Sequence, residues 1–209
     1  MIYLKSIHKK IGNTTVFSDL TLRFPDVGLY FLTGDNGCGK TTLLYILAML
    51  DRDYTGDYLL DGEKVNGLTS ERLDELRRKN ISLLLPKGNL IDFLTVRENV
   101  YLDCKAPKNY LEPEDRSVLG LSGGEEILYA LSNELGKNKK ILLLDEVTSS
   151  LSDKNADKVM QILTDYSSSH LVIMASHDER AMHKGSIIRL GNEADSEYSY
   201  FNYRQSVID

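Results

Sequence analysis

A glycine-rich segment that contains a lysine and a threonine could bind a chain of phosphates. It fits the pattern G-x-x-x-x-G-K-[ST]. Glycines allow successive backbone N–H groups to point inward, and the N-terminus of a following helix adds partial positive charge. Lys40 can reach the terminal phosphates, and the Thr41 hydroxyl can ligate Mg²⁺. The predicted nucleotide-binding residues of this segment are Gly34, Asp35, Asn36, Gly37, Cys38, Gly39, Lys40, Thr41 and Thr42.

The stretches on either side of this segment distinguish a phosphate site from an ordinary turn. Leu29–Leu32 before it is typical of a buried strand, and the apolar stretch 43–50 after it is typical of a helix. Glycine-rich turns without a ligand, which are the alternative, mostly lack this strand, turn and helix in series. We expect Cys38 to contribute mainly its backbone, and its thiol would be reactive at the helix N-terminus if it were exposed.

Two acidic residues follow a second apolar stretch. Residues 141–144 are apolar, and Asp145 and Glu146 come directly after them. A buried parallel strand that ends in carboxylates delivers them to the sheet edge where α/β proteins bind ligands. We expect Asp145 to be a metal ligand for Mg²⁺ together with Thr41, and Glu146 to act as a catalytic residue that polarises the attacking water. The alternative is a strand that simply ends in surface acids.

A third candidate contact lies at the predicted start of a later helix, within the sequence LSGGE of residues 121–125. Ser122 is a favoured N-cap residue, and the two glycines after it allow a phosphate to approach the backbone closely. The predicted nucleotide contacts here are Ser122, Gly123 and Gly124. The alternative is an ordinary capped helix with a glycine-rich entry.

The elements that position these residues alternate between buried strands and helices along the chain. Residues 1–9 and 14–25 alternate apolar and polar side chains, which predicts two antiparallel strands. The later pattern predicts an α/β fold with a mostly parallel sheet flanked by helices. The predicted strands are 29–33, 58–60, 81–85, 140–144, 171–175 and 186–190, and the predicted helices are 40–50, 70–79, 122–135, 153–166 and 178–184. The aromatic-rich residues 192–209 could add an edge strand.

Length and composition limit the class of protein. The 209 residues are 42% hydrophobic and 27% charged, which is typical of one globular domain. The net charge of −6 and the absence of a long basic run disfavour nucleic acid as a partner. The longest apolar run, 43–50, is much shorter than the ~20 residues that cross a bilayer. No signal-peptide pattern is present and cysteines are few, so we expect a cytoplasmic protein.

Taken in their order along the chain, the phosphate loop, the LSGG sequence and the acidic strand end resemble the ATP-binding-cassette (ABC) ATPases. The resemblance implies a P-loop NTPase of the ABC ATPase type, with one ATP-binding domain over 1–209 and a short helical signature subdomain at about 87–121. His177 matches the family's switch histidine, which contacts the γ-phosphate, so it joins Glu146 and Lys40 as a predicted catalytic residue. Residues 149–152 match the position of the D-loop.

The resemblance also implies partners. Residues 76–81 and 94–100 look like the branch that includes the lipoprotein-release, macrolide-efflux and cell-division cassettes. In the family, two cassettes enclose two ATP molecules, each between the phosphate loop of one chain and the signature of the other. A homodimer that binds ATP and Mg²⁺ is therefore implied. A separate transmembrane permease subunit would hold it at the inner face of the membrane.

Three positions depart from the family pattern. Pro86 occupies the place of a glutamine that touches Mg²⁺ and water, and proline offers no side-chain donor or acceptor. Hydrolysis or its coupling to the permease would then be weakened, unless Asn89 substitutes. Ile11 occupies the place of the aromatic residue that stacks on adenine, which predicts modest ATP affinity. Ser152 replaces the D-loop aspartate, and it either alters communication across the dimer or merely caps the next helix.

These observations predict an ATP-binding and ATP-hydrolysing subunit that drives a membrane transporter, with export as the expected direction. One alternative is a soluble ABC ATPase with no transporter. It is disfavoured because the chain carries neither a coiled-coil insertion nor a second cassette. Another alternative is a regulatory cassette that hydrolyses ATP weakly because of Pro86 and Ser152. Glu146, which is retained, argues against a complete loss of hydrolysis.

Overall fold

The computed structural model describes residues 1–86, 89–103, 114–149, 151–177 and 182–191. These residues form two sheets, five α-helices and a short 3-10 helix, Val118–Gly120. The strands are β1 Ile2–Ile11, β2 Thr14–Phe24, β3 Gly28–Thr33, β4 Thr55–Leu60, β5 Glu63–Lys64, β6 Ile81–Leu84, β7 Ile141–Asp145, β8 Leu171–Ala175 and β9 Ser186–Arg189. The helices are α1 Lys40–Leu47, α2 Ser70–Asn80, α3 Val96–Asp103, α4 Gly123–Gly136 and α5 Asp153–Ser167.

The smaller sheet is antiparallel and has the strand order β2-β1-β4-β5. Strands β1 and β2 pair from Ile2 opposite Phe24 to Ile11 opposite Thr14, with register shifts along the way. Alternate residues of both strands are buried, because one face of this sheet packs on the core while the other faces water. The predicted N-terminal antiparallel portion is confirmed.

The larger sheet has the strand order β6-β7-β8-β3-β9, and its described pairs are all parallel. Its faces pack on different elements, as β7 illustrates. Ile141 and Leu143 belong to the apolar cluster that contains α1 and the antiparallel sheet. Leu142 and Leu144 belong to the cluster that contains α4 and α5. The predicted mostly parallel sheet flanked by helices is therefore confirmed, and the carboxyl ends of β3, β7 and β8 meet at one edge.

The first helix is shorter than predicted. We predicted a helix over 40–50, but α1 ends at Leu47. Ala48 is the C-cap, and Met49 adopts a positive φ of 58°, which turns the chain out of the helix. Residues with positive φ are usually glycine or asparagine. Because this position is a methionine, the sequence did not indicate the end of the helix.

Residues around the predicted helical subdomain form a small cluster of their own. Val96, Val118 and Tyr129 are buried against one another, and Thr95 pairs with Ser117 across the segment. The subdomain boundaries at about 87–121 stay a prediction, because 87–88 and 104–113 lie outside the described residues. The predicted edge strand within 192–209 and most of the predicted helix 178–184 also lie outside them.

Candidate functional site

The phosphate loop between β3 and α1 has three glycines with positive φ, Gly34, Gly37 and Gly39, and two of them are closely packed. Gly34 has φ 138°, and a Cβ there would lie 2.2 Å from the Leu190 carbonyl oxygen. Gly39 has φ 102°, and a Cβ there would lie 2.6 Å from Val16 and 2.8 Å from Phe17. Only glycine fits these two positions, because any side chain would be strained and would collide with its neighbours. The loop is therefore held between β9 and the β1–β2 hairpin.

Lys40 is buried, and its ammonium lies against the loop. Its Nζ donates hydrogen bonds to the carbonyl oxygens of Gly34 at 2.9 Å and Asp35 at 3.1 Å. Helix α1 has no acidic residue in its first turn, and Gly39 provides no side-chain cap. The positive end of the helix dipole and the charge of Lys40 therefore both lie at the phosphate loop. Together they favour the binding of a phosphate there.

Cys38 is not an exposed thiol. Its side chain is buried, and its N–H donates to the Asp35 carbonyl oxygen at 3.2 Å. The expectation that Cys38 serves the loop through its backbone agrees with this geometry. The conditional prediction of a reactive thiol does not apply, because reaction requires access to the sulfur.

The structure brings Thr41 and Asp145 together. The Thr41 hydroxyl donates to Asp145 Oδ2 at 2.9 Å, although the two residues are 104 positions apart in the chain. Burial raises the pKa of the Asp145 carboxyl, and the charge of Glu146 acts in the same direction. The Thr41 hydrogen bond and the Lys40 charge oppose this shift. Mg²⁺ favours one or two protein oxygens with phosphates and waters completing its shell, so this hydroxyl and carboxylate fit such an ion.

Glu146 and His177 face each other at the same edge of the sheet. His177 Nε2 lies 3.4 Å from Glu146 Oε1, and both side chains are partly exposed. Glu146 has φ 50°, a conformation that non-glycine residues seldom adopt. The Glu146 N–H donates to the Ala175 carbonyl oxygen at 3.0 Å, and Ser149 Oγ donates to the Glu146 carbonyl oxygen at 2.8 Å. These bonds hold the unusual backbone and point the carboxylate away from the core.

The LSGG segment lies at the start of α4, whereas the phosphate loop lies between β3 and α1. Ser122 is the exposed N-cap of α4, and it forms a reciprocal capping box with Glu125. Among the described residues, no hydrogen bond or ion pair joins Ser122, Gly123 or Gly124 to residues 34–41. The roles of Glu125 and of its ion-pair partner Arg116 were not predicted. The S-x-x-E pattern signals the capping box, whereas nothing local signals Arg116.

The positions that depart from the family pattern lie close to this edge of the sheet. Ile11 ends β1 in the hairpin that also supplies Val16 against Gly39, and its side chain is 56% exposed. Pro86 follows β6, which pairs with β7. The Asn89 amide donates to the Leu83 carbonyl oxygen at 2.5 Å, so that amide group is already bonded to the end of β6.

Ser152 occupies the N-cap position of α5, but its side chain makes no capping hydrogen bond. By contrast, the Thr69 hydroxyl accepts a bond from the Arg72 N–H at the start of α2, as expected of a cap. The interpretation of Ser152 as a helix cap is therefore weakened.

Comparisons with known proteins show the family of this chain. A family profile described as ABC transporter matches residues 17–149, well over half of the chain. The chain therefore belongs to the ABC transporter family, and it is an ATPase of the ATP-binding-cassette type. This confirms the predicted family and the P-loop fold.

Individual relatives show how far the similarity extends. The macrolide export ATP-binding/permease protein MacB of Campylobacter jejuni is 29% identical over 198 residues, which cover 86% of this chain but 31% of that protein. This chain thus spans about a third of the length of the MacB relatives. The uncharacterized ABC transporter ATP-binding protein MJ0796 of Methanocaldococcus jannaschii is 29% identical, with 85% of this chain and 87% of that protein covered.

Solved structures are similar over almost the whole chain. A dimeric post-hydrolysis state of the cassette MJ0796, bound to ADP and Pi, has a TM-score of 0.80 at 27% identity. A second dimeric structure of MJ0796 has the same TM-score at 28% identity. Each comparison covers 91% of this chain and 94% of the other.

Among the described residues of this chain, no helix is both long and apolar enough to span a bilayer.

Proposed function

We propose that this chain binds and hydrolyses ATP with Mg²⁺ and drives a separate transmembrane permease, in a transporter that works as an exporter. The observation that carries the proposal is the hydrogen bond between Thr41 and Asp145. It joins the phosphate loop to the acidic strand end, so that phosphate and metal ligands converge at one edge of the sheet. The pair of Glu146 and His177 lies at that same edge.

Each residue has a distinct task in this proposal. Lys40 would neutralise the terminal phosphates, and Thr41 and Asp145 would hold the metal. Mg²⁺ would supply neutralisation of the charge that develops on the β- and γ-phosphate oxygens. Glu146 accepts a hydrogen bond from the attacking water and aligns it, while His177 contacts the γ-phosphate and fixes the Glu146 carboxylate.

The nucleotide would be enclosed between two copies of the chain. Within the described part of the chain, Ser122, Gly123 and Gly124 have no hydrogen bond or ion pair to the phosphate loop, and we propose that a second copy brings them to the nucleotide. The dimeric structures of the similar cassette support this arrangement. We therefore propose a homodimer as the working form.

An exposed apolar segment supports a permease as the partner. Half of the large exposed apolar side chains that the structure describes come from residues 91–119. Its two described parts are adjacent, because Thr95 pairs with Ser117. The apolar side chains are Ile91, Phe93, Tyr101, Leu102 and Leu119. Apolar side chains grouped on a surface mark contact sites, and the MacB relatives carry a permease in the same protein. The chain would then lie in the cytoplasm, peripheral to the inner face of the membrane.

The substitution Glu146→Gln tests the catalytic part of the proposal. The variant should still bind ATP, because the amide is similar in size to the carboxylate. It should lose phosphate release by about 100-fold or more, since it cannot accept the proton of the water. Glu71→Gln, which removes an exposed acid from α2, is the control. Unchanged turnover of Glu146→Gln in a phosphate-release assay would contradict the assignment.

A second candidate function rests on Pro86 and Ser152. A cassette without the glutamine and aspartate that the family pattern places there could bind ATP and hydrolyse it slowly as a regulatory unit. The intact pairs of Thr41 with Asp145 and Glu146 with His177 favour hydrolysis instead. Steady-state turnover of the unmodified chain distinguishes the two candidates.

A further inference from the structure

The two helix N-termini that we expect to meet phosphate differ in their own side chains. The first turn of α1 has no acidic residue, and the residue before it offers no side-chain cap. The first turn of α4 carries Glu125 and Glu126. Because the positive end of a helix attracts anions, a carboxylate of the chain at that end competes with an external phosphate.

Glu125 already occupies both hydrogen-bond donors of Ser122. Its Oε2 accepts hydrogen bonds from the Ser122 N–H and from the Ser122 hydroxyl, both at 2.8 Å. The Glu125 N–H donates in return to Ser122 Oγ at 3.3 Å. A serine hydroxyl has one proton to donate, so Ser122 cannot donate to a phosphate while it donates to Glu125.

Arg116 holds this carboxylate in place. Its Nη2 donates to Glu125 Oε1 at 2.7 Å, so both carboxylate oxygens are engaged. Arg116 Nε lies 3.3 Å from Glu114 Oε2, and Glu114 Oε1 accepts from the Tyr129 hydroxyl at 2.6 Å. The hydrogen bonds from Arg116 and Ser122 lower the pKa of Glu125 to about 2. The carboxylate is therefore ionised at neutral pH.

We propose that Glu125 sets the strength of nucleotide-driven dimerisation, because its carboxylate competes with the γ-phosphate for the Ser122 turn. This inference rests on the proposed function, which brings the turn of one copy to the nucleotide of the other. When the phosphate binds, the Ser122 hydroxyl donates its hydrogen bond to the phosphate instead of to Glu125. The ionised Glu125 carboxylate then remains next to the phosphate anion. Arg116 is a positioning residue that holds the carboxylate and compensates part of its charge.

The substitution Glu125→Gln tests this inference in a chain that also carries Glu146→Gln, so that ATP persists. Glutamine keeps an oxygen that can accept from the Ser122 N–H, which preserves the capping box while removing the charge. In sedimentation velocity with ATP and Mg²⁺, we expect the dimer dissociation constant to fall about tenfold, or about 1.4 kcal/mol. Circular dichroism of each variant, with and without heating, checks that the fold is kept.

Glu126→Gln is the matched control. It removes the same charge from the same turn, but the Glu126 side chain makes no ion pair within the described part of the chain. We expect its dimer constant to stay within about twofold of the parent. The inference is wrong, and the proposed function stands, if Glu125→Gln leaves the constant unchanged or weakens the dimer, or if Glu126→Gln strengthens it equally. Absence of an ATP-dependent dimer in every variant that binds ATP would overturn the enclosed nucleotide and this inference together.

Arg116→Gln separates positioning from a direct contact with the nucleotide. If Arg116 acts through Glu125, its loss should weaken the dimer in the parent but have little effect once Glu125→Gln is present. An equal loss in both backgrounds would contradict the positioning role.

Discussion

At the scale of single residues, the site contains charged groups and hydroxyls that can neutralise and orient a phosphate. It also contains two positions at which the side chain expected from the family pattern is absent. At the end of the sheet, Thr41 donates a hydrogen bond to Asp145, and Lys40 is close enough to interact with the Asp145 charge. Lys40 also donates a hydrogen bond to the phosphate loop. By contrast, Pro86 offers no polar side-chain group, and Ile11 offers no aromatic ring. Substitutions at these two positions test their effects on the turnover of ATP and on the affinity for ATP.

The first residue-scale prediction concerns Pro86. Pro86→Gln restores a side chain that can contact the metal shell and the water, so we expect turnover to rise by at least about threefold. Pro86→Ala is the control, because it removes the ring without adding a polar group. Phosphate release should be measured with and without the permease. Identical rates for Pro86→Gln and the unmodified chain in both conditions would show that Pro86 does not limit hydrolysis or its coupling.

The second residue-scale prediction concerns Ile11. Ile11→Tyr introduces a ring at a side chain that is already exposed, so the fold should tolerate it. Ring stacking adds about 0.5–1.5 kcal/mol beyond burial, so ATP affinity should improve by about two- to twelvefold. Titration calorimetry with ATP measures the change, and Ile11→Leu controls for packing without a ring. Equal affinities of the leucine and tyrosine variants would place the base away from this position.

At the scale of elements, the site depends on the junction of the β1–β2 hairpin, the phosphate loop and α1. Val16 and Phe17 of β2 pack within 3 Å of where a Cβ of Gly39 would lie. The hairpin therefore limits the path of the loop. The same hairpin carries Ile11, so the position that we expect to meet the base and the loop that meets the phosphates are parts of one joined unit.

Gly39→Ala measures the strength of this junction. Gly37→Ala is its matched control, because Gly37 also has positive φ, 81°, but has nothing within 4 Å of an added Cβ. Both variants incur the backbone strain, and only Gly39→Ala also incurs the collision. We expect Gly39→Ala to lower the free energy of unfolding by about 1–3 kcal/mol more than Gly37→Ala in urea titrations. Equal losses would mean that the hairpin moves aside without cost.

At the scale of the whole molecule, the nucleotide edge and the exposed apolar segment lie on different parts of the chain, linked by α4 and the strands. Val96 and Val118, from the two described parts of this segment, pack against Tyr129 in the middle of α4. Arg116 lies in the same segment, and its carbonyl oxygen accepts from the Val96 N–H at 2.9 Å. The Ser122 turn and the proposed permease surface are thus parts of one packed region.

The whole-molecule prediction concerns this surface. Phe93 is 85% exposed and Leu119 is 76% exposed. Replacing both with serine should abolish co-purification of the permease from membranes of the native host, while basal ATP hydrolysis of the isolated chain stays within about twofold. Val27→Ser, at an apolar side chain that is 44% exposed elsewhere, is the control. Retention of the permease by the double variant would remove this segment from the docking surface.

The order and type of most elements could be predicted from the sequence, because they depend on nearby residues. Apolar runs marked β3, β7 and β8, and Thr69 marked the start of α2. The end of α1 was missed, because Met49 takes a positive φ without a glycine to signal it. The capping partner Glu125 was within reach of local reasoning, but it was overlooked.

The sequence by itself determined the chemical groups of this protein: the glycine-rich loop with its lysine and threonine, the acids after an apolar run and the serine before two glycines. These patterns are local, and their meaning follows from residue types a few positions apart. Only the tertiary structure decided that Thr41 bonds Asp145, that His177 faces Glu146, that Arg116 holds Glu125 and that the Cys38 thiol is buried. Those contacts depend on the strand order β6-β7-β8-β3-β9, which joins residues far apart in the chain.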